Sequence, residues 1–250
     1  MTQMKKVVVI GGTGLIGSKA VKMLQDAGHE AVVASSRNGI NAYTGEGLED
    51  TVTGADAVID VSNMMSFDKD ALVDFFATSS RNLTGAEQTA GVRHHVVLSI
   101  VNADGLAANP YMAGKLAQEE TVAASSQAYT IVRATQFHEF LETLAGAYAT
   151  DGKVKVPDID FQPIAAADVA GALVAVALGE PKNGTIDLAG PGRGSFESFV
   201  RTYLEAKGDH SPVSSDAAVD YFGAPVVTGS LVPGGDYIEG RITIAEWLQA

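Results

Sequence analysis

Val7-Val8-Val9-Ile10-Gly11-Gly12-Thr13-Gly14-Leu15-Ile16-Gly17 is the stretch around which the chain is organised. A short unbroken β-branched run reads as a buried strand, and the glycines behind it read as a tight turn into a helix. Gly11 lets the chain leave the strand sharply. Gly14 carries no side chain to hold an anionic ligand off the backbone, and Gly17 lets the helix pack closely on its strand. The helix, expected from Leu15 to Ala27, aims its unpaired N–H groups and positive dipole end at that ligand. The glycines fit Gly12-x-Gly14-x-x-Gly17 and Gly11-x-x-Gly14-x-x-Gly17 together, at the first strand of the chain, which points to a dinucleotide diphosphate. Its expected contacts are Gly11, Thr13, Gly14, Leu15, Ile16 and Gly17.

Composition narrows the remaining classes. The chain has 250 residues, 46% apolar and 19% charged, which suits a single globular domain with a sizeable core. It has no cysteine, so thiol catalysis, disulfide scaffolds and cysteine metal sites are excluded, and a reducing cytoplasmic location is expected. A net charge of −13 without basic clusters argues against nucleic acid as a partner. The apolar run after Lys5 and Lys6 opens into the glycine turn and so reads as a strand, not a leader. No stretch approaches the ~20 apolar residues of a membrane span.

Downstream, strand and helix patterns alternate. Glu30 to Ala34 reads as a second strand, Ala57 to Val61 as a third, Phe67 to Ala90 as a long helix, His95 to Ser99 as a fourth strand and Tyr129 to Arg133 as a fifth. This order predicts an α/β, Rossmann-type doubly wound parallel sheet. The tip of the second strand, Ser35-Ser36-Arg37-Asn38, bears hydroxyls and a guanidinium where NAD-preferring sites place a carboxylate. Paired to a 2′-phosphate, Arg37 favours NADP, with NAD as the alternative and a solvated turn as the plain reading of the arginine. Val61, Ser62 and Asn63, at the end of the third strand, are expected to line the cofactor. From Phe137 onward the pattern loosens: a helix near Phe140 to Tyr148, a strand near Val154 and Val156, a helix after Asp168 and a strand over Gly184 to Leu188. Residues 137–165 and 181–250 are expected to form a small C-terminal substrate lobe on the single NAD(P)-binding domain 1–250.

Asn109 and Pro110 begin another helix, which places Tyr111 and Lys115 one turn apart on one face. Ser99 closes the strand before it. The plain alternative is a tyrosine packed at a helix start and a lysine reaching solvent. Adjacent His94 and His95 point apart along a strand, so no metal site is expected there. His138 reads as a core histidine, with a place in the substrate pocket as the alternative, Glu119 and Glu120 as a solvated helix face, and Asp168 and Ser195 as helix caps.

The glycine turn, Tyr111-Met112-Ala113-Gly114-Lys115 and strand-end Ser99 resemble the short-chain dehydrogenase/reductase superfamily. Arg81-Asn82-Leu83, Gly91 to Ser99, Arg133-Ala134-Thr135-Gln136-Phe137 and Glu246-Trp247-Leu248 resemble its atypical, NmrA-like NAD(P)-binding branch, over almost the whole chain. The resemblance implies that Tyr111 gives or takes the proton, that Lys115 stabilises the phenolate and reaches the nicotinamide ribose, and that Ser99 holds the substrate oxygen. It also implies that Asn82 lies near the lysine. The expectation is an NADP-dependent oxidoreductase acting on a small carbonyl, alcohol or quinone by hydride transfer, with no metal, no membrane partner and a possible homo-oligomer. The alternatives are an NADP(H)-binding redox sensor without turnover and, less suited to this chain length, a nucleotide-sugar epimerase or dehydratase.

Overall fold

Val7, Val8 and Val9 are fully buried in β1 (Lys6–Ile10). Strand β1 lies between two parallel neighbours, so Val8 faces Val32 on one side and Val58 on the other. The computed structural model describes residues 4–250 of the chain. After β1 come α1 (Leu15–Asp26), β2 (Glu30–Ala34), α2 (Leu48–Val52), β3 (Ala57–Asp60) and α3 (Lys69–Ala90). Next are β4 (His94–Ile100), α4 (Pro110–Ala124) and β5 (Tyr129–Ala134). The rest comprises α5 (Leu141–Ala147), β6 (Ala149–Thr150), β7 (Lys153–Pro157), β8 (Asp160–Phe161), α6 (Ala166–Leu178), β9 (Gly184–Ala189), β10 (Gly194–Ser195), α7 (Phe196–Ala206), β11 (Val213–Asp216), β12 (Tyr237–Glu239) and α8 (Ile244–Trp247).

The central sheet has seven strands in the order β12-β9-β5-β4-β3-β1-β2. Every pairing in it is parallel, giving a Rossmann-type α/β fold. From β1 the chain moves outward to β2, then returns across β1 to β3. The order of strands therefore reverses between β1 and β3, and their carboxyl ends diverge into the crevice where such sheets take ligands. Helices α1 and α6 cover one face over Val7, Val9, Ile59, Val96 and Val132. Helices α2 and α3 bury Val8, Ile10, Leu48, Val58 and Leu83 against the other, and α4 packs beside α3.

A second core lies outside these layers. Phe161 and Phe196 stack at 4.4 Å between centroids, with Leu141, Val156, Tyr203 and Tyr221 around them. Leu106 and Met112 join this core, which ties it to the start of α4.

Some boundaries move for local reasons. Helix α3 starts at Lys69 because Asp68 caps it, accepting from the N–H groups of Asp70 and Ala71, and leaves Phe67 94% exposed. Helix α6 starts at Ala166, so Asp168 is no cap; its carboxylate instead takes the N–H groups of Arg241 and Ile242. Ser195 does cap α7. His138 is buried beside Trp247, with Nε2 on the Ile242 carbonyl.

Candidate cofactor crevice and acid–base pair

The glycine turn is as tight as its pattern requires. Gly11 has φ +77°, and a Cβ there would lie 2.6 Å from the Val61 carbonyl oxygen at the end of β3. A Cβ on Gly17 would strike the Gly11 carbonyl oxygen and lie 2.7 Å from the Gly12 Cα, so only glycine lets α1 settle onto its strand. Thr13, Gly14 and Leu15 are exposed, while Ile16 and Gly17 are buried and leave only backbone towards the mouth. Gly14 caps α1 without any side-chain bond, and no acidic residue sits in the first turn. Beside this mouth the Ser62 hydroxyl is buried without a hydrogen-bond partner. A bare helix amino end, a cradle that a Cβ would fill and an orphaned hydroxyl suit a dinucleotide diphosphate.

At the rim, Ser36–Asn38 form a single helical turn after β2. Asn38 fixes it, accepting from the Ser35 N–H and hydroxyl and donating to the Val33 carbonyl. Ser35 thereby holds the turn, and Ser36 and Arg37 stand exposed at its surface.

The second group of residues gathers on α4. Asn109 accepts from the N–H groups of Tyr111 and Met112, which starts the helix with Tyr111 in its first turn. The Tyr111 hydroxyl donates to Asn63 Oδ1 at 2.8 Å, so the phenol meets the chain just past β3, at the crevice. Its ring sits edge-on to Phe76. Gly114 lets α4 press onto α3, since a Cβ there would lie 2.8 Å from Phe76. Lys115 is buried, with its ammonium 4.7 Å over the Phe76 ring and bonded to Gln118 Oε1. Gln118 Nε2 donates to Asp60 Oδ2 at 2.8 Å, and Asp60 Oδ1 accepts from the Ser62 N–H. A buried polar chain thus runs from the lysine to the backbone at the crevice.

Ser99 has a partner of its own, and the expectations for Glu119 and Asn82 are corrected here. Ser99 is brought to α4 but not to the phenol: its hydroxyl donates to Glu119. Glu119 is no solvated residue; it is buried and held by Arg133 at 2.6 and 2.9 Å. The Asn82 amide is not bonded to the lysine and donates to the Ala42 and Tyr43 carbonyls of the loop before α2. His94 and His95 do point apart, to Thr130 and Glu87. Among the described residues no three His, Cys, Asp or Glu side chains converge to hold a metal. None of their helices is long and apolar enough to cross a membrane.

Burial sets the protonation of the pair. It pushes the Tyr111 phenol up to about 12 and the Lys115 ammonium down to about 8, the latter against the opposing pull of Asp60 and Glu119. Between about pH 8 and the ordinary 10.5 the unfolded chain holds a proton on this lysine that the folded chain has lost. Stability contributed by Lys115 therefore rises with pH across that window. Unfolding in denaturant should show the parent gaining about 3 kcal/mol on Lys115→Met between pH 7 and pH 10.5. A difference that stays flat with pH would show that the ammonium is not desolvated.

The comparisons with known proteins agree with this geometry. A family model described as NAD(P)H-binding matches residues 11–180. The photosystem II assembly factor Ycf39 of Synechocystis is 31% identical over 173 residues, which are 64% of this chain and 50% of that protein. The polyketide synthase GfsA of Streptomyces halstedii is 35% identical over 106 residues, 40% of this chain and 1% of that protein. The chain thus spans half the length of the first of these relatives and a small part of the second. Among solved structures, a short-chain dehydrogenase/reductase superfamily protein of Agrobacterium tumefaciens with bound NAD aligns at TM-score 0.72 and 18% identity, over 98% of this chain and 95% of that one. A dTDP-4-dehydrorhamnose reductase of Bacillus anthracis in complex with NADP aligns at 0.71 and 16%, over 97% and 92%. These structural likenesses speak for the fold. With the family model covering more than half of its length, from the glycine turn to the end of α6, the chain belongs to the NAD(P)H-binding family, built on the short-chain dehydrogenase/reductase fold.

Proposed function

We propose that this protein is an NADP-dependent oxidoreductase that exchanges a hydride with a small carbonyl, alcohol or quinone. The observation that carries this reading is the Tyr111 hydroxyl at 2.8 Å from Asn63, beside the crevice that the glycine turn opens. In the turn from Gly11 to Gly17 the N–H groups of Gly11, Gly12 and Gly14 are taken up by the fold, so those of Thr13, Leu15, Ile16 and Gly17 hold the diphosphate, and Val61, Ser62 and Asn63 border the nicotinamide half. The nicotinamide, when bound, supplies or accepts the hydride. Tyr111 is the proton donor in the reducing direction, because a phenol that titrates at about 12 stays protonated at neutral pH. The buried charge of Lys115 offsets, at close range, a chain whose net charge is −13. Ser99, tied to Glu119, has no part in this scheme. Residues 137–165 and 181–250 close over the substrate from the side of the second core.

The test is consumption of NADPH and NADH with a mixed panel of carbonyls and quinones. Oxidation of either nucleotide by an acceptor supports the reading. Tight nucleotide binding without consumption across the panel would favour a redox sensor. That second reading draws on two observations: the Lys115 ammonium is engaged by Gln118, and a relative bears the name of an assembly factor.

Nucleotide choice rests on Arg37. Isothermal titration of the parent should show NADPH bound more tightly than NADH, and Arg37→Asp should weaken NADPH roughly 10- to 100-fold while sparing NADH. Equal affinities in the parent would remove the preference for NADP.

A further inference from the structure

Resting on the reading of Tyr111 as the acid, we propose that Asn63, not Ser99, is the second catalytic side chain of the proton-transfer site. Its carboxamide accepts from the phenol while the proton is present and donates to the phenolate once the proton has left.

Elimination supports this as strongly as contact does. Two polar groups, Ser99 and Lys115, were expected beside the phenol. The Ser99 proton is given to Glu119, and that carboxylate is clamped by Arg133. The Lys115 ammonium is given to Gln118, beneath the Phe76 ring. Asn63 alone has its bond on the Tyr111 oxygen. It lies three residues past the end of β3 at the strand-order reversal, and unlike Ser99 and Lys115 it is exposed. Its nitrogen meets only the Met65 sulfur at 3.8 Å, a weak acceptor that leaves the amide free to turn.

The chemistry of the amide fits both halves of the transfer. In the reducing direction the O–H bond of Tyr111 breaks and its proton forms the O–H bond of the product. The electron pair of the broken bond remains on the phenol oxygen. A half-turn of the carboxamide then replaces Oδ1 with Nδ2, and an N–H is directed at the new anion. Water at the exposed edge of Asn63 returns the proton, which closes the cycle. A carboxylate in its place accepts from the phenol equally well but has no N–H for the phenolate and repels it.

Genetic incorporation of difluorotyrosine at position 111 lowers the phenol's titration into a range where the protein stays folded. Asn63→Asp should raise that midpoint by about one pH unit, read by tyrosinate absorbance in the absence of nucleotide and acceptor. With an acceptor from the panel, Asn63→Leu should lower kcat roughly 10- to 100-fold, well beyond the smaller loss of NADPH affinity expected of a residue that borders the cofactor. A midpoint equal in the parent and Asn63→Asp overturns the proposal. So does a loss of NADPH affinity in Asn63→Leu that matches the loss of turnover, which would assign Asn63 to the cofactor. The absorbance titration needs no turnover, so its failure leaves the oxidoreductase reading standing, and a silent acceptor panel leaves the titration result standing.

Discussion

Gly17→Ala is expected to abolish nicotinamide-nucleotide binding and to destabilise the fold by about 3 kcal/mol. The added methyl would collide with the Gly11 carbonyl oxygen and come within 2.8 Å of the Gly11 carbonyl carbon. These are backbone atoms of the turn, with no side chain to swing aside. Relief requires α1 to move outward, which lifts Ile16, Ala20 and Leu24 from the core they share with Val7 and Val9. It also displaces the N–H groups that face the ligand, so binding and stability fall together. Gly85, inside α3, supplies the contrast: nothing lies within 4 Å of its Cβ position. Gly85→Ala should stabilise the protein by about 0.5–1 kcal/mol, because an open helical glycine carries only its entropic cost. Denaturant unfolding and calorimetric titration with NADPH check both variants. Full NADPH affinity in Gly17→Ala would remove the diphosphate from the turn.

The scaffold of this site was legible in the sequence because it depends on local rules. The β-branched run, the glycine spacing, the Asn109–Pro110 start and the Ser195 cap each act within a few residues, and each stands where it was read. Side-chain partners were less legible. Glu119 was read as solvated, yet Tyr111, Lys115 and Glu119 form one row at intervals of four, and a row whose first members face inward carries its third inward too. Asp60 gave a signal as well: a carboxylate closing the otherwise apolar strand Ala57 to Ile59 must find a buried donor, and Gln118 supplies it. Ser99 and Asn63 gave no such signal. Their partners lie 20 and 48 residues away and are set by how α4 seats against β4 and the end of β3.

Tyr111→Phe is expected to lower carbonyl turnover by about 10²- to 10⁴-fold while leaving NADPH affinity within about twofold. The ring keeps its edge-on contact with Phe76, and Asn63, being exposed, turns to water, so stability should change little. The pH profile separates the two members of the pair. Burial holds the phenol at about 12, so the acid itself imposes no decline in reduction near neutrality. A fall in rate above about pH 8 belongs to Lys115, whose ammonium is lost there, and Lys115→Met should abolish that limb. The acceptor makes the assignment sharper still. A carbonyl reduced by hydride becomes a strongly basic alkoxide that needs a proton in the transition state, whereas a quinone yields a weakly basic phenolate that water can protonate afterwards. Tyr111→Phe should therefore silence carbonyls and spare quinones to within about tenfold. Equal losses on both acceptors would mean that the hydroxyl positions substrate without moving a proton, and a full rate on carbonyls would remove Tyr111 from the chemistry.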